Sequence, residues 1–249
     1  MRAAPVRADG SSIRWVEIPG SEPARVYLHG LGSSSAPYYA EAVSRPQLAG
    51  AGRRSLLMDL LGFGISDRPA DADYTMAEHA DHVAAALTAA GVAGAEVVGH
   101  SMGGTISAHL AARHPHLASK LVLVDPTLHP VPTTSGILKH DEAGFLACGW
   151  EETLERVGPA WAATMRMAGR EALYRSALGM AHMEPTAWKL LHDLDIPRTC
   201  LRPAHGEAVG GDAELAVSGV RIVPVPDCGH NIMLDNVDGF VAEVAAALA

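Results

Sequence analysis

The amino-acid sequence predicts an α/β protein: a mostly parallel sheet flanked by helices, with a helical segment inserted between two core strands. Short apolar runs alternate with longer helical patterns along the chain, the order expected of parallel strands joined by helices. Each run spans four to six residues and meets Gly, Pro, Asp or His within two residues, as buried strands do where they end at a functional edge. One stretch, 127–193, departs from the alternation. It opens on a loop containing Pro126, Pro130 and Pro132, continues in segments broken at Gly144, Gly149, Gly158 and Gly169, and contains no convincing strand.

The first strand is expected at 13–18, ahead of the turn Pro19-Gly20, followed by strands at 25–28, 55–58, 95–98, 120–124, 198–201 and 221–225. Thr75-Met76-Ala77-Glu78 has the spacing of a capping box, in which Thr and Glu satisfy free N–H groups at a helix start. A helix is therefore expected over 77–90, stopped by Gly91. Further helices are expected over 102–113, ahead of Pro115, and over 237–248. These elements divide the chain into a core, 1–126 and 194–249, and a helical lid, 127–193. The lid holds Trp150, Trp161 and Trp188, three of the four tryptophans, together with Met165, Met167, Met180 and Met183. Soft and aromatic side chains adapt to an apolar ligand while excluding water, so Trp161, Met165, Met183 and Trp188 are candidate substrate contacts.

Composition excludes several classes. Of the 249 residues, 48% are hydrophobic, enough for a sizeable core. The 19 Lys and Arg against 28 Asp and Glu leave a net charge of −9, which repels phosphate backbones and anionic lipid. Neither nucleic acid nor a membrane surface is an expected partner. No stretch approaches the roughly 20 apolar residues of a membrane-spanning helix, and no apolar run follows the two early arginines as a secretory leader would require. A cytoplasmic location is expected, with Cys148, Cys200 and Cys228 as reduced, mostly buried thiols lacking metal-ligand spacing.

The chemistry is concentrated in Gly99-His100-Ser101-Met102-Gly103-Gly104, a Gly-x-Ser-x-Gly motif between an expected strand and an expected helix. The sharp turn needs positions without Cβ and leaves the serine hydroxyl at the strand's C-terminal end. The first turn of the following helix offers free N–H groups and a favourable dipole to developing negative charge. A serine hydroxyl needs a base to take its proton. Among 13 histidines, His230 follows the last strand through Pro226-Asp227-Cys228-Gly229, which puts it at the same sheet edge as Ser101. His205 is a lesser rival. His29 and His100 are read as shaping their loops. His79 and His82, three apart on one helix, are read as a solvated helix surface because no third metal ligand accompanies them.

His-Gly after the strand Val26-Tyr27-Leu28, Asp59-Leu60-Leu61-Gly62-Phe63-Gly64-Ile65-Ser66-Asp67 after the next, the Ser101 motif and Gly229-His230 together resemble the α/β-hydrolase superfamily. The resemblance runs over essentially the whole chain, is loosest across 127–193, and is strongest to small lidded esterases, lactonases and haloperoxidase-like members. It implies that the backbone N–H groups of Leu31 and Met102 form an oxyanion hole. It also implies an acid that orients the histidine. Most relatives carry this acid in a Gly-x-x-Asp turn after the penultimate strand, where this chain reads Pro203-Ala204-His205-Gly206-Glu207 and reaches an aspartate only at Asp212. Some relatives carry it one strand earlier, where Asp125 stands; the alternative for Asp125 is a loop cap of the Asp-Pro type. Asp125 is placed ahead of Glu207, with Asp212 third. The expected activity is cleavage of a carboxylic ester or lactone of an apolar small molecule through an acyl-enzyme, without metal, nucleotide or other cofactor. C–C bond hydrolysis, perhydrolysis, acyl transfer to another acceptor and a non-catalytic binding module are the alternatives. Epoxide hydrolase and dehalogenase chemistry is disfavoured because those relatives carry an aspartate where Ser101 stands. Substrate identity and oligomeric state stay open.

Overall fold

The computed structural model describes residues 1–50, 52–134, 136–205 and 211–249. Eight strands form one sheet in the order β1-β2-β4-β3-β5-β6-β7-β8. They are β1 (Arg2–Pro5), β2 (Ser12–Ile18), β3 (Ser21–Leu28), β4 (Arg53–Asp59), β5 (Ala95–His100), β6 (Ala118–Val124), β7 (Arg198–Pro203) and β8 (Val220–Val225). The pairs β1–β2 and β2–β4 are antiparallel and all others parallel. The seven expected strands are present. The eighth, β1, is a four-residue edge strand with only Ala4 buried, too little apolar pattern to be read from sequence.

Helices flank both faces. In chain order they are α1 (Ser35–Ser44), α2 (Pro46–Ala49), α3 (Met76–Ala89), α4 (Met102–Arg113), α5 (Glu142–Gly144), α6 (Trp150–Arg156), α7 (Pro159–Met165), α8 (Arg170–Ala181), α9 (Ala187–Asp193), α10 (Asp212–Val217), α11 (Ile232–Asp235) and α12 (Val237–Leu248). A π-helical turn, Phe145–Gly149, joins α5 to α6. Thr75 caps α3 by accepting from the Glu78 N–H at 3.1 Å, and the Glu78 carboxylate reaches back to the Tyr74 N–H. The residues between β6 and β7 form α5 to α9, with no strand among those described. No helix of the described residues is long and apolar enough to cross a membrane.

The sheet separates two apolar layers. One packs α3, α4 and the helices between β6 and β7 against β2 to β6, with Phe63, Ile106, Leu123 and Leu173 inside it. The other packs α1, α11 and α12 against the opposite face through Tyr39, Val98, Phe240 and Val244. The central strand β5 is buried at every residue, as a parallel strand covered on both faces must be.

Two expectations are corrected here. His79 and His82 are buried, at 1% and 8% exposure; α3 packs against both α8, which meets His79, and β1, whose following residues Arg7 and Asp9 lie near His82. His79 Nε2 meets Ser176 Oγ of α8 at 2.9 Å, and its ring packs against Phe63 and Tyr74. Of the three free thiols only Cys200 is buried; Cys148 is exposed and Cys228 intermediate.

Burial gives the histidines a measurable signature. It is the main cause that pushes His79 and His100 down from 6.5 to about 3. The unfolded chain therefore takes up protons below pH 6.5 that the folded chain cannot. Their contribution to stability is complete above that pH and is lost as pH falls from 6.5 toward 3. By pH 5 the loss is roughly 2 kcal/mol for each histidine. Urea unfolding at pH 7.5 and pH 5.0 is expected to show a clearly lower stability at pH 5.0; equal midpoints and slopes at the two pH values would contradict neutral burial.

Candidate active site

Parallel register brings the strand ends together. Leu28 pairs with Gly99, His100 with Val124, and Val124 with Leu201, so the loops after β3, β5, β6 and β7 leave the sheet at one edge. The ladder continues a step further: Ser101 N–H donates to Val124 O at 3.0 Å and Asp125 N–H to Leu201 O at 2.9 Å. Residues separated by tens of positions in sequence thus start side by side.

Ser101 sits between β5 and α4 with φ 51° and ψ −118°, backbone angles outside the usual wells of a non-glycine residue. Its neighbours explain how that turn is tolerated. A Cβ on Gly103 would lie 2.5 Å from Leu28 O and 2.6 Å from His29 O, so helix α4 can approach β3 only with glycine there. A Cβ on Gly30 would crowd His100 Nδ1 at 3.0 Å and the Ser101 Cβ at 3.1 Å. Met102, the first residue of α4, has an N–H with no intrahelical acceptor. Leu31 N–H likewise has no hydrogen-bond partner among the described residues. Both backbone donors named from sequence are therefore available to a ligand.

The Leu31 loop is held from above. Trp161 Nε1 donates to Leu31 O, and Thr164 Oγ1 to Gly32 O, each at 3.0 Å, tying α7 to this loop. From below, His29 Nε2 accepts from Leu60 N–H at 3.1 Å, so its proton lies on Nδ1, which donates to Gly30 O at 2.7 Å. Asp59 fixes the next turn, accepting from Ser34 Oγ, Ser35 N–H and Ile65 N–H at 2.7–3.0 Å.

His230 and Asp125 meet. His230 Nδ1 donates to Asp125 Oδ2 at 2.6 Å, a charge-assisted contact across 105 residues of chain. Asp125 is in the left-handed region at φ 42° and is largely buried, whereas the His230 side chain is 53% exposed. Burial alone would push the Asp125 pKa up, but the interactions with His230 and Arg202 outweigh it and hold this carboxyl below the usual 3.8. It is therefore ionised at neutral pH. His100 Nε2 donates to the His230 carbonyl at 2.9 Å, and the two rings lie 4.7 Å apart. The buried His100 holds the backbone of its partner while its own Nδ1 has no acceptor role filled.

A cavity of about 340 Å³ opens over this group, lined by residues that include Leu31, Tyr38, Ser101, Trp161, Met180 and His230. Ser101 and His230 face it together, with no hydrogen bond between the hydroxyl and the imidazole in this state. Of the four candidate substrate contacts, Trp161 lines this cavity, whereas Met165 is buried near Gly32 and is not among its lining residues. Met183 and Trp188 do not line it. Met183 lines a second cavity between α3, α4 and α8, and Trp188 stacks on His129 and His192 while donating to Gly211 O. Met180, Tyr38 and Asn231 line the Ser101 cavity without having been singled out; Met180 is in the last turn of α8, and Met183 follows the end of that helix.

The rival acids separate clearly. Asp212 binds Arg202, not the imidazole. Glu207 lies outside the described residues. His205 is exposed in the turn after β7. Among the described residues, one trio, His140, Cys148 and Glu152, brings metal-ligand atoms within 4.8 Å of one another, but Glu152 is already bound to Lys139 and His140.

A family model described as the alpha/beta hydrolase fold matches residues 24–155. The 2-hydroxymuconate semialdehyde hydrolase of Pseudomonas sp. (strain CF600) is 38% identical over 110 residues, which make up 44% of this chain and only 38% of that enzyme. The enol-lactonase from Burkholderia xenovorans LB400 superimposes with a TM-score of 0.80 at 21% identity over 99% of each chain. A thermophilic esterase from Thermogutta terrifontis gives 0.79 at 20% identity, over 100% of this chain and 98% of the other. At such identities the structural matches establish the fold.

Close approach at the turn yields a direct test. Gly103→Ala is expected to lower stability by about 3 kcal/mol, since the added methyl meets backbone oxygens that cannot move aside. A denaturation midpoint indistinguishable from the unmodified protein would show that α4 does not pack against β3 as described.

Proposed function

Because this chain belongs to the α/β-hydrolase family, we propose that it is a serine hydrolase that cleaves a carboxylic ester or lactone of an apolar small molecule through an acyl-enzyme. The observation that carries this reading is the 2.6 Å bond between Asp125 and His230 beside the cavity that Ser101 shares with that imidazole.

With Nδ1–H committed to Asp125, the His230 Nε2 lone pair is the base. It takes the Ser101 proton as the hydroxyl oxygen attacks the carbonyl carbon, and the resulting oxyanion is held by the Leu31 and Met102 N–H groups. The imidazolium, stabilised by ionised Asp125, then gives its proton to the leaving alcohol oxygen as that bond breaks. Water repeats the sequence in reverse and releases the acid. No metal or organic cofactor enters these steps. Ser101 and His230 must come into hydrogen contact for the first of them, a tightening common when substrate closes such a site.

The helices 127–193 act in this reading as a lid. Trp161 and Thr164 both bind the carbonyls of the Leu31 loop, so movement of α7 would carry the Leu31 donor with it, while the Met102 donor stays with α4. Trp161, Met180 and Tyr38 give the cavity an apolar, adaptable wall, which favours an apolar acyl or alcohol group. An apolar small-molecule ester or lactone as partner, with neither nucleic acid nor membrane involved, fits the acidic net charge of −9.

A second reading has its own support. The match to 2-hydroxymuconate semialdehyde hydrolase favours cleavage of a C–C bond, in which the same site would have to deliver a proton to carbon instead of alcohol oxygen. Ser101→Ala is expected to keep the melting temperature and to lower hydrolysis of p-nitrophenyl butyrate by more than roughly 10³-fold. Retained activity in that variant would remove Ser101 from the mechanism. Turnover of 2-hydroxymuconate semialdehyde well above that of aryl esters and lactones would select the C–C reading.

A further inference from the structure

The carboxylate that meets His230 is gripped from behind by an arginine. Arg202, near the end of β7, is only 7% exposed. Its Nη1 donates to Asp125 Oδ1 at 3.0 Å and to Pro126 O at 3.3 Å. Its Nε and Nη2 donate to the two oxygens of Asp212, at 3.3 and 3.0 Å. One guanidinium therefore joins two carboxylates, of which Asp125 alone reaches the imidazole, through Oδ2.

The planar fork has consequences that a point charge would lack. By fixing Oδ1 it leaves Asp125 one free oxygen direction, the one His230 occupies. By taking both Asp212 oxygens it commits the second acid elsewhere. Without the cation two half-buried carboxylates would repel each other across the end of β7.

We propose that Arg202 is a positioning residue of the hydrolytic site, clamping Asp125 so that one oxygen faces His230 and holding Asp212 away from the imidazole. The proposal rests on the Ser101–His230 reading above and adds to it the reason that Asp125, and not Asp212, is the partner acid.

The clamp also sets the charge that the imidazole experiences. Around the Asp125–His230 pair lie His100 of β5, Cys200 and Arg202 of β7, Asp212 of α10, and Asp227, Cys228 and Asp235 of the His230 loop and α11. His100 is neutral at physiological pH, and the Cys200 thiol is pushed up to about 12, chiefly by burial. Arg202 is thus the one cation of this set that binds Asp125 besides His230 itself. Removing it leaves both Asp125 and Asp212 uncompensated, which favours the imidazolium.

The experiment compares pH profiles of kcat/KM for Arg202→Met, Arg202→Lys and the double variant Arg202→Met/Asp212→Asn. The double variant removes the carboxylate that the single change would strand. Arg202→Met is expected to turn over on the order of tenfold more slowly, with its acid limb displaced upward by roughly one pH unit. Lys should restore the limb but only part of the rate, and the double variant should stay slow despite its balanced charge. A folded Arg202→Met with an unmoved acid limb, or a double variant within twofold of the unmodified rate, overturns the proposal. An NMR titration of the His230 ring, run in the Ser101→Ala background, reads the same coupling without turnover. An upward shift there on Arg202→Met supports the clamp even if Ser101 proves not to be the nucleophile, and no shift defeats it.

Discussion

The site depends on one constraint: a buried carboxylate at the end of β6 must find its counter-charge across the sheet edge. Asp125 cannot remain ionised in a largely apolar setting without partners. It obtains them from His230, 105 residues away, and from Arg202 one strand over. The parallel register makes both contacts possible, because β5, β6 and β7 end at matched heights and their next residues continue the ladder. The loop positions of Ser101, Asp125 and His230 follow from a backbone alignment, and their side chains need to reach only a few ångströms.

Hydrogen bonds brace that edge from both sides. Below it, neutral buried histidines serve as hydrogen-bonding spacers: His29 joins two loops, and His100 holds the carbonyl of His230. Above it, α7 touches the sheet edge through two hydrogen bonds to loop carbonyls, while Trp161 stays 38% exposed.

Much of this was legible in the sequence, for identifiable reasons. Buried parallel strands announce themselves as apolar runs, and the Ser101 turn needs glycines at fixed spacing, so both survive reading in one dimension. Strand β1 was missed because it buries a single alanine. His79 and His82 were misread as a solvated face because what lies against them is distant in sequence: Ser176 of α8 for His79, and Arg7 and Asp9 after β1 for His82. Met180 and Met183 are three residues apart but line different cavities, because α8 ends between them and its C-terminal turn redirects the chain. Asp125 and Asp212 are distinguished by Arg202, which binds both while only Asp125 meets His230, and no local pattern signals that arginine.

The central claim is that Asp125 serves the imidazole that activates Ser101, and the rate at which a fluorophosphonate labels Ser101 tests it most directly. Labelling should slow by about 10³-fold or more in Asp125→Asn and by less than tenfold in Asp212→Asn. Rapid labelling of Asp125→Asn together with slow labelling of Asp212→Asn would contradict the assignment.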